Sequence, residues 1–200
     1  MTLSKLRCPV SGERLTLEAG ALVSESRKHR YELHAGRIPL FAEAPASADA
    51  RYQQRHYDQL APLYLENLGY PHTEEYVAYL DRIFLESLGE GWLGCVAELC
   101  CGQGEALSLL SERVDQGVGV DISVAMLETA TARLADERFV FLQGDATQLP
   151  LADACFDHVF AFGPGPYNEV QLRLAHVDAA AHPPRVGWHD PARQVADTSR

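Results

Sequence analysis

GCVAELCCGQGEALSLLSERVDQGVGVD, residues 94–121, is the stretch around which the rest of the chain is arranged. Val96, Ala97, Leu99, Cys100 and Cys101 form a short apolar run that fits a strand buried on both faces. Gly102-Gln103-Gly104 breaks the run, and Leu107, Leu110 and Val114 then recur at helical spacing. A second short strand, 117–122, carries Asp121 towards its C-terminal end. Strand, glycine turn, helix, strand and acid make half of a βαβ unit of the nucleotide-binding kind.

Glycine permits the positive φ of a strand-to-helix turn and lets the backbone approach a ligand, while the helix start offers free N–H groups. Asp121 follows Gly102 by about 20 residues, where an acid meets ribose hydroxyls in such folds. Two ligand classes compete. A dinucleotide fingerprint wants a small third residue, and here that place is held by Leu107. Glu98-Leu99-Cys100-Cys101-Gly102-Gln103-Gly104 instead resembles the glycine motif of class I S-adenosylmethionine (AdoMet) methyltransferases, with Cys100 where the first glycine usually stands.

Further motifs follow in register. Val120-Asp121-Ile122-Ser123 comes first, Gly144-Asp145-Ala146 ends a third strand at 138–144, and Asp153-x-x-Phe156-Asp157 leads into a fourth at 156–163. Over residues 94–163 the series is similar to that of the class I methyltransferases. The resemblance implies an α/β, Rossmann-like fold with a doubly wound, mostly parallel sheet. Ser123 is expected to cap a helix whose Met126, Leu127, Ala130 and Leu134 face that sheet.

In such a sheet the ligand lies beyond the strand C-termini, beside the first strand. Glu98, Gly102, Gly104, Asp121 and Asp145 all fall there. An acidic rim suits a cosubstrate whose sulfonium and ammonium are cationic. The resemblance implies that Asp121 accepts both ribose hydroxyls and that Asp145 accepts the adenine amino group. It also implies that the Ala146 N–H contacts the ring while Ile122 and Met126 pack against it. Turn or cap chemistry is the plainer role for Glu98 and Asp145. No metal ligand set is expected.

Net charge is −11, unevenly spread. Residues 1–50 carry seven Lys/Arg against six Asp/Glu, and residues 51–200 carry ten against 22. So acidic a body repels a phosphate backbone, which argues against broad nucleic-acid binding. Arg27, Lys28, His29, Arg30 and Arg37 form a basic cluster, read as a solvated hairpin edge ahead of an RNA patch. No apolar run approaches the ~18 residues of a membrane span, and no secretory apolar region opens the chain. A soluble cytoplasmic protein is the expectation. Cys8, Cys95, Cys100, Cys101 and Cys155 form no C-x-x-C pair, so buried free thiols are expected rather than a disulfide or zinc framework.

Residues 1–41 read as a small β-rich unit with turns at 9–12, 19–20 and 35–36. Leu6-x-Cys8-Pro9, Ser11-Gly12, Tyr31 and Gly36-Arg37-Ile38-Pro39-Leu40 resemble the zinc-ribbon-like domain preceding some ribosomal RNA methyltransferases. They also resemble small free-standing methyltransferase activators. Only Cys8 remains of a thiolate set: Ser11, Ser24, Ser26 and His29 stand where the other ligands are sought, so the metal site reads as lost. A unit this small is marginal alone and needs docking on the larger domain.

Residues 42–50 read as a linker, 51–180 as the methyltransferase domain and 181–200 as a disordered tail. A helix is expected over 51–68, kinked or broken at Pro62. A second starts at Pro71-His72-Thr73 with Thr73 as its cap, buries Tyr76, Tyr79, Leu80, Ile83, Phe84 and Leu88, and stops at Gly89. Tyr57-Asp58-Gln59-Leu60-Ala61-Pro62-Leu63-Tyr64 resembles the pre-core helix that folds over the cofactor in many small methyltransferases. Tyr57 and Tyr64 would then cover AdoMet; facing a core is an equal alternative.

After Gly163 the family pattern, a helix, a fifth strand, a helix and a hairpin, is not met. The residues from 164 onward hold five of the 11 prolines. A helix over 167–180, a vestigial strand at 185–188 and a bare fourth strand are expected, with the C-terminal part truncated or altered, conceivably by a reading-frame change. A partner chain supplying the missing layer is the alternative. The activity implied is AdoMet-dependent methyl transfer by direct displacement to a small-molecule or RNA acceptor. His158, Tyr167 and Asn168 lie on or after the fourth strand, where acceptor contacts gather. A non-catalytic AdoMet-binding protein is the second reading, and an NAD-dependent oxidoreductase the third.

Overall fold

A computed structural model of the chain describes residues 3–43, 45, 47–68 and 71–161. The N-terminal unit is an antiparallel meander of β1 (Leu15–Glu18), β2 (Ala21–Ser24), β3 (Arg30–His34) and β4 (Ile38–Pro39). Ala19 and Gly20, at φ 48° and 79°, both take the left-handed conformation that matches a tight hairpin turn to the twist of its strands. Cys8 Sγ lies 3.0 Å from the Tyr31 hydroxyl and accepts the Ser11 N–H at 3.4 Å. Ser26 Oγ donates to Glu13 at 2.7 Å and lies 3.4 Å from Ser24 Oγ. Four of the residues weighed as metal ligands, Cys8, Ser11, Ser24 and Ser26, thus bond to one another or to Tyr31 and Glu13, and His29 joins through its backbone N–H to Ser24 Oγ at 3.2 Å. The basic cluster sits on the rim of this unit, where Arg27 and Arg30 pair with Glu18 and Glu32 in the open.

Two helices follow, α1 (Ala48–Leu68) and α2 (Pro71–Leu88). The 42–50 linker is shorter than its composition suggested. Ser47 Oγ accepts the Ala50 N–H at 2.9 Å, so the helix starts inside that stretch. Ala42 is itself buried and hydrogen-bonded rather than free. Pro62 does not end α1, which runs on to Leu68. Thr73 lies inside α2 because Pro71, pre-set at a helical φ, takes the first position. Gly89, at φ 67°, closes the helix as expected. Phe84 is buried, whereas Tyr79 is exposed and carries Arg82 over its ring, so it leaves the predicted stripe.

The second sheet consists of β5 (Gly94–Leu99), β6 (Val114–Asp121), β7 (Phe139–Gln143) and β8 (His158–Ala161), all parallel, in the order β7-β6-β5-β8. Between them run α3 (Glu105–Leu109) and α4 (Val124–Arg133). The helix after the glycine turn is shorter than the 107–110–114 spacing implied. A 3₁₀ turn at Ser111–Arg113 ends it, and Val114 already opens β6.

Alternation along the strands sorts the sheet residues into two cores. Val96, Phe139, Phe141 and Phe160 face α2, α3 and α4, packing with Phe84, Leu107, Leu110, Leu127 and Ala130. Leu99, Val118, Val120 and Leu142 face the other way, onto Leu6, Cys8, Leu15 and Leu22 of the N-terminal unit. The N-terminal unit therefore shares a core with the parallel sheet. Backbone bonds stitch the join: Arg7 N–H to Pro150 O at 3.0 Å, Ala152 N–H to Lys5 O at 2.8 Å and Phe41 N–H to Gln143 O at 3.0 Å.

Glycine in β6 serves the first of these cores. A Cβ at Gly117 or Gly119 would lie 2.5 Å from the ring of its cross-strand neighbour, Phe139 or Phe141. The glycines make the grooves that two phenylalanines fill. Among the described residues β8 is an edge of this sheet. The helix, strand and tail expected over 164–200 lie outside the described residues.

Candidate functional site

Because all four core strands are parallel, their C-terminal ends share one rim, and the loops after β5, β6 and β7 meet there. The loop after β5 is the glycine turn. Cys100 has φ 54°, and Gly102 and Gly104 have φ 50° and 72°. The first of these values explains why the family usually places glycine at this point: Cys100 occupies a left-handed conformation that costs a residue with a Cβ about 1 kcal/mol or more.

Asp121 ends β6 and is only 9% exposed. Its Oδ2 accepts the Gly102 N–H at 2.8 Å and its Oδ1 accepts the Ser123 N–H at 2.9 Å. One carboxylate thus joins the glycine turn to the start of α4. Burial raises its pKa, backbone N–H groups oppose that, and the charge of Asp58 adds to the rise.

Glu98, 2% exposed, lies behind the glycine turn and accepts the Leu107 N–H of α3 at 3.0 Å. Burial pushes its carboxyl up to about 8, against the N–H groups of Leu107 and Ala106 and with the charges of Glu105 and Asp121. Cys100 is open to solvent on one side, but the crevice walls still desolvate a thiolate. That effect, with the charges of Asp121, Asp145 and Glu98, pushes its thiol up to about 12. Among the described residues neither Glu98 nor Asp121 has an ion-pair partner; Glu105, beside them, is held by Arg133 at 3.1 Å.

Tyr57 and Tyr64 of α1 are half-buried against this crevice. Burial raises both hydroxyls. The charges of Asp121 and Cys100 add to the rise at Tyr57, and that of Glu105 leads the added effects at Tyr64. Both phenols stay protonated and can donate. Met126 is buried and Ile122 half-buried at the start of α4. Asp145 Oδ1 accepts the N–H and hydroxyl of Thr147 at 2.8 and 2.6 Å, which is turn chemistry at the same rim, with Ala146 half-exposed beside it.

His158 does not join them. It pairs with Val96 at the N-terminal start of β8, while the rim is reached three residues later, where Ala161 pairs with Leu99. Its ring stacks on Phe160 with centroids 6.0 Å apart, at the far end of the strand from that rim. Tyr167 and Asn168 lie outside the described residues.

Three polar residues at the site were not singled out from the sequence. Asp58 accepts the Ser123 hydroxyl at 2.6 Å. Gln143 accepts the Ala42 N–H at 3.2 Å and donates to Ala42 O and Ile122 O at 3.1 and 3.2 Å, tying the N-terminal unit to the residue after Asp121. Gln103 is fully buried, with neither Oε1 nor Nε2 hydrogen-bonded. Buried amides without partners are costly, and a polar ligand beside the glycine turn would satisfy this one. With Arg133 taken up by Glu105, the acids of the crevice and this orphaned amide fit a cationic amino-acid-bearing ligand such as AdoMet.

Residues 96–182 match the family described as "Methyltransferase domain". A demethylmenaquinone methyltransferase of Roseiflexus sp. (strain RS-1) is 30% identical over 122 residues, 58% of this chain and 49% of that protein. Another, of Lactococcus lactis subsp. lactis (strain IL1403), is 41% identical over 70 residues, 32% of this chain and 28% of its own length. The chain thus spans half or less of the length of these curated relatives. A solved Haloferax volcanii complex of the Trm112 methyltransferase activator with a methyltransferase is 26% identical over 52% of this chain and 46% of that one, at a TM-score of 0.43. The glycine turn and the parallel sheet agree with the family match: over residues 96–182 the chain is similar to methyltransferase domains.

Proposed function

We propose that the protein binds AdoMet in the crevice at the strand C-termini and catalyses transfer of its methyl group to a small-molecule acceptor. The observation that carries this reading is Asp121: a buried carboxylate, held by two backbone N–H groups between the glycine turn and α4, with no ion-pair partner among the described residues. Each of its oxygens keeps a lone pair for a ribose hydroxyl. The crevice attracts the sulfonium and ammonium, and Gln103 offers the amino-acid end a donor and an acceptor. Tyr57 and Tyr64 exclude water from above.

Bound AdoMet supplies a methyl group on a sulfonium, which the acceptor's nucleophilic atom displaces in line as the carbon–sulfur bond breaks. Such a displacement needs proximity and orientation, and the chain's part is to hold the cofactor in place. The named relatives are demethylmenaquinone methyltransferases, which favours a small quinone-like acceptor, and the chain's acidic body disfavours RNA.

The test is calorimetric titration with AdoMet and with NADH, followed by methyl transfer from radiolabelled AdoMet to 1,4-naphthoquinones, oxidised and reduced, and to cell-extract small molecules. AdoMet binding with labelled product supports the reading. Binding without any transfer supports a non-catalytic AdoMet-binding protein. Absence of AdoMet binding refutes both.

A further inference from the structure

We propose that Asp58 is a positioning residue that latches α1 over the cofactor crevice, by accepting hydrogen bonds from the start of α4, and so sets the residence time of the cofactor. The ligand in this inference rests on the AdoMet reading above; the latch itself does not.

Asp58 Oδ1 accepts the Ser123 hydroxyl at 2.6 Å and faces the Ala125 N–H at 3.5 Å, across 65 and 67 residues of chain. The same Ser123 oxygen accepts the Met126 N–H at 3.2 Å, so the helix cap and the latch are one group. The Ser123 N–H, in turn, donates to Asp121. One residue therefore carries the lid helix through its side chain and the cofactor-side acid through its backbone. A hydroxyl-to-carboxylate bond this short is charge-assisted.

Around Asp58 the side chains of α1 are only partly sunk, with Tyr57, Leu60 and Tyr64 half-buried. Of its described side chains, Ala61 is the buried apolar one, while Tyr52 and Leu63 are more than half exposed. Polar attachments further towards its N-terminus run from Gln54 to Ala42 O at 3.3 Å and from Arg51 to Pro45 O at 2.9 Å. Tyr57 is the neighbour of Asp58, so wherever the latch closes, a phenol is delivered to the mouth of the crevice. Asp58 and Asp121 also repel each other across Ser123. A cation in the crevice relieves that repulsion, which makes closure favour the occupied state.

The test compares the full-length protein with Asp58→Ala and Asp58→Asn. S-adenosylhomocysteine association and dissociation are followed by stopped-flow fluorescence, and hydrogen exchange of residues 48–68 is followed without ligand. Asn keeps an acceptor for the Ser123 hydroxyl. Asp58→Ala is expected to speed dissociation about tenfold with association unchanged within about twofold, and to speed exchange in 48–68. Asp58→Asn is expected within about threefold of wild type. A wild-type dissociation rate in Asp58→Ala, or Asp58→Asn behaving as Asp58→Ala, overturns the latch. If the wild-type protein binds no S-adenosylhomocysteine, the AdoMet reading fails. The exchange comparison then still decides the latch, which falls if residues 48–68 exchange alike in Asp58→Ala and wild type.

Discussion

Glu98→Gln should change how the protein's stability responds to pH. The folded protein holds the Glu98 proton up to about 8, whereas the unfolded chain releases it near the ordinary value of 4.5. Between those values the unfolded state binds fewer protons than the folded one. The contribution of Glu98 is therefore complete below 4.5 and is lost as pH rises through 8. Each pH unit inside the window removes about 1.4 kcal/mol, or about 4 kcal/mol from pH 5 to pH 8. Glutamine does not titrate, keeps an oxygen for the Leu107 N–H and has nearly the same shape. Asp121, whose pKa is also raised, is present in both proteins and cancels in their difference. Urea unfolding of wild type and Glu98→Gln at half-unit steps from pH 5 to 8.5 reads the effect. Glu98→Gln should gain on wild type steadily, becoming the more stable protein at the alkaline end. Two curves that stay parallel within about 1 kcal/mol across that range would falsify the assignment of a protonated, buried Glu98.

Asp121→Asn should weaken AdoMet binding at least about tenfold by calorimetry, since charge-assisted bonds to ribose contribute ~1.5–3 kcal/mol; unchanged affinity would remove Asp121 from the site. Gly119→Ala places a Cβ 2.5 Å from the Phe141 ring, and urea unfolding should show a loss of about 1–3 kcal/mol, partly recovered by adding Phe141→Leu. Leu22→Ala, in the N-terminal unit, should cost about 2–5 kcal/mol and lower a single melting transition for the whole protein; two separated transitions would show that the units do not share a core. Gln143→Ala leaves Ala42 and Ile122 backbone groups short of partners, and should cost about 1–3 kcal/mol while raising the Kd for AdoMet.

Much of the site was legible in local pattern. Short-range rules suffice for a strand that ends in Gly102-Gln103-Gly104, an acid at the end of the next strand, Ser123 as a cap and Gly89 as a stop. Each of these is settled by the conformational needs of a few adjacent residues. Parallel pairing then carries Glu98, Asp121 and Asp145 to one end of the sheet. Cys100 was legible as a departure, and its left-handed φ shows what the usual glycine is for.

Residues acting across long sequence separations were not legible. Asp58 reads as one more acid on a helix until α4 is laid against it, and Gln143 as an ordinary strand residue until Ala42 and Ile122 flank its amide. His158 was expected on the fourth strand and is there, but which end of that strand meets the glycine turn is fixed only by its parallel pairing with β5. The small size of the N-terminal unit called for docking on the larger domain, but not for the sheet face that it covers. Apolar alternation states that a face must be buried, and the partner that buries it is selected only when the whole chain packs.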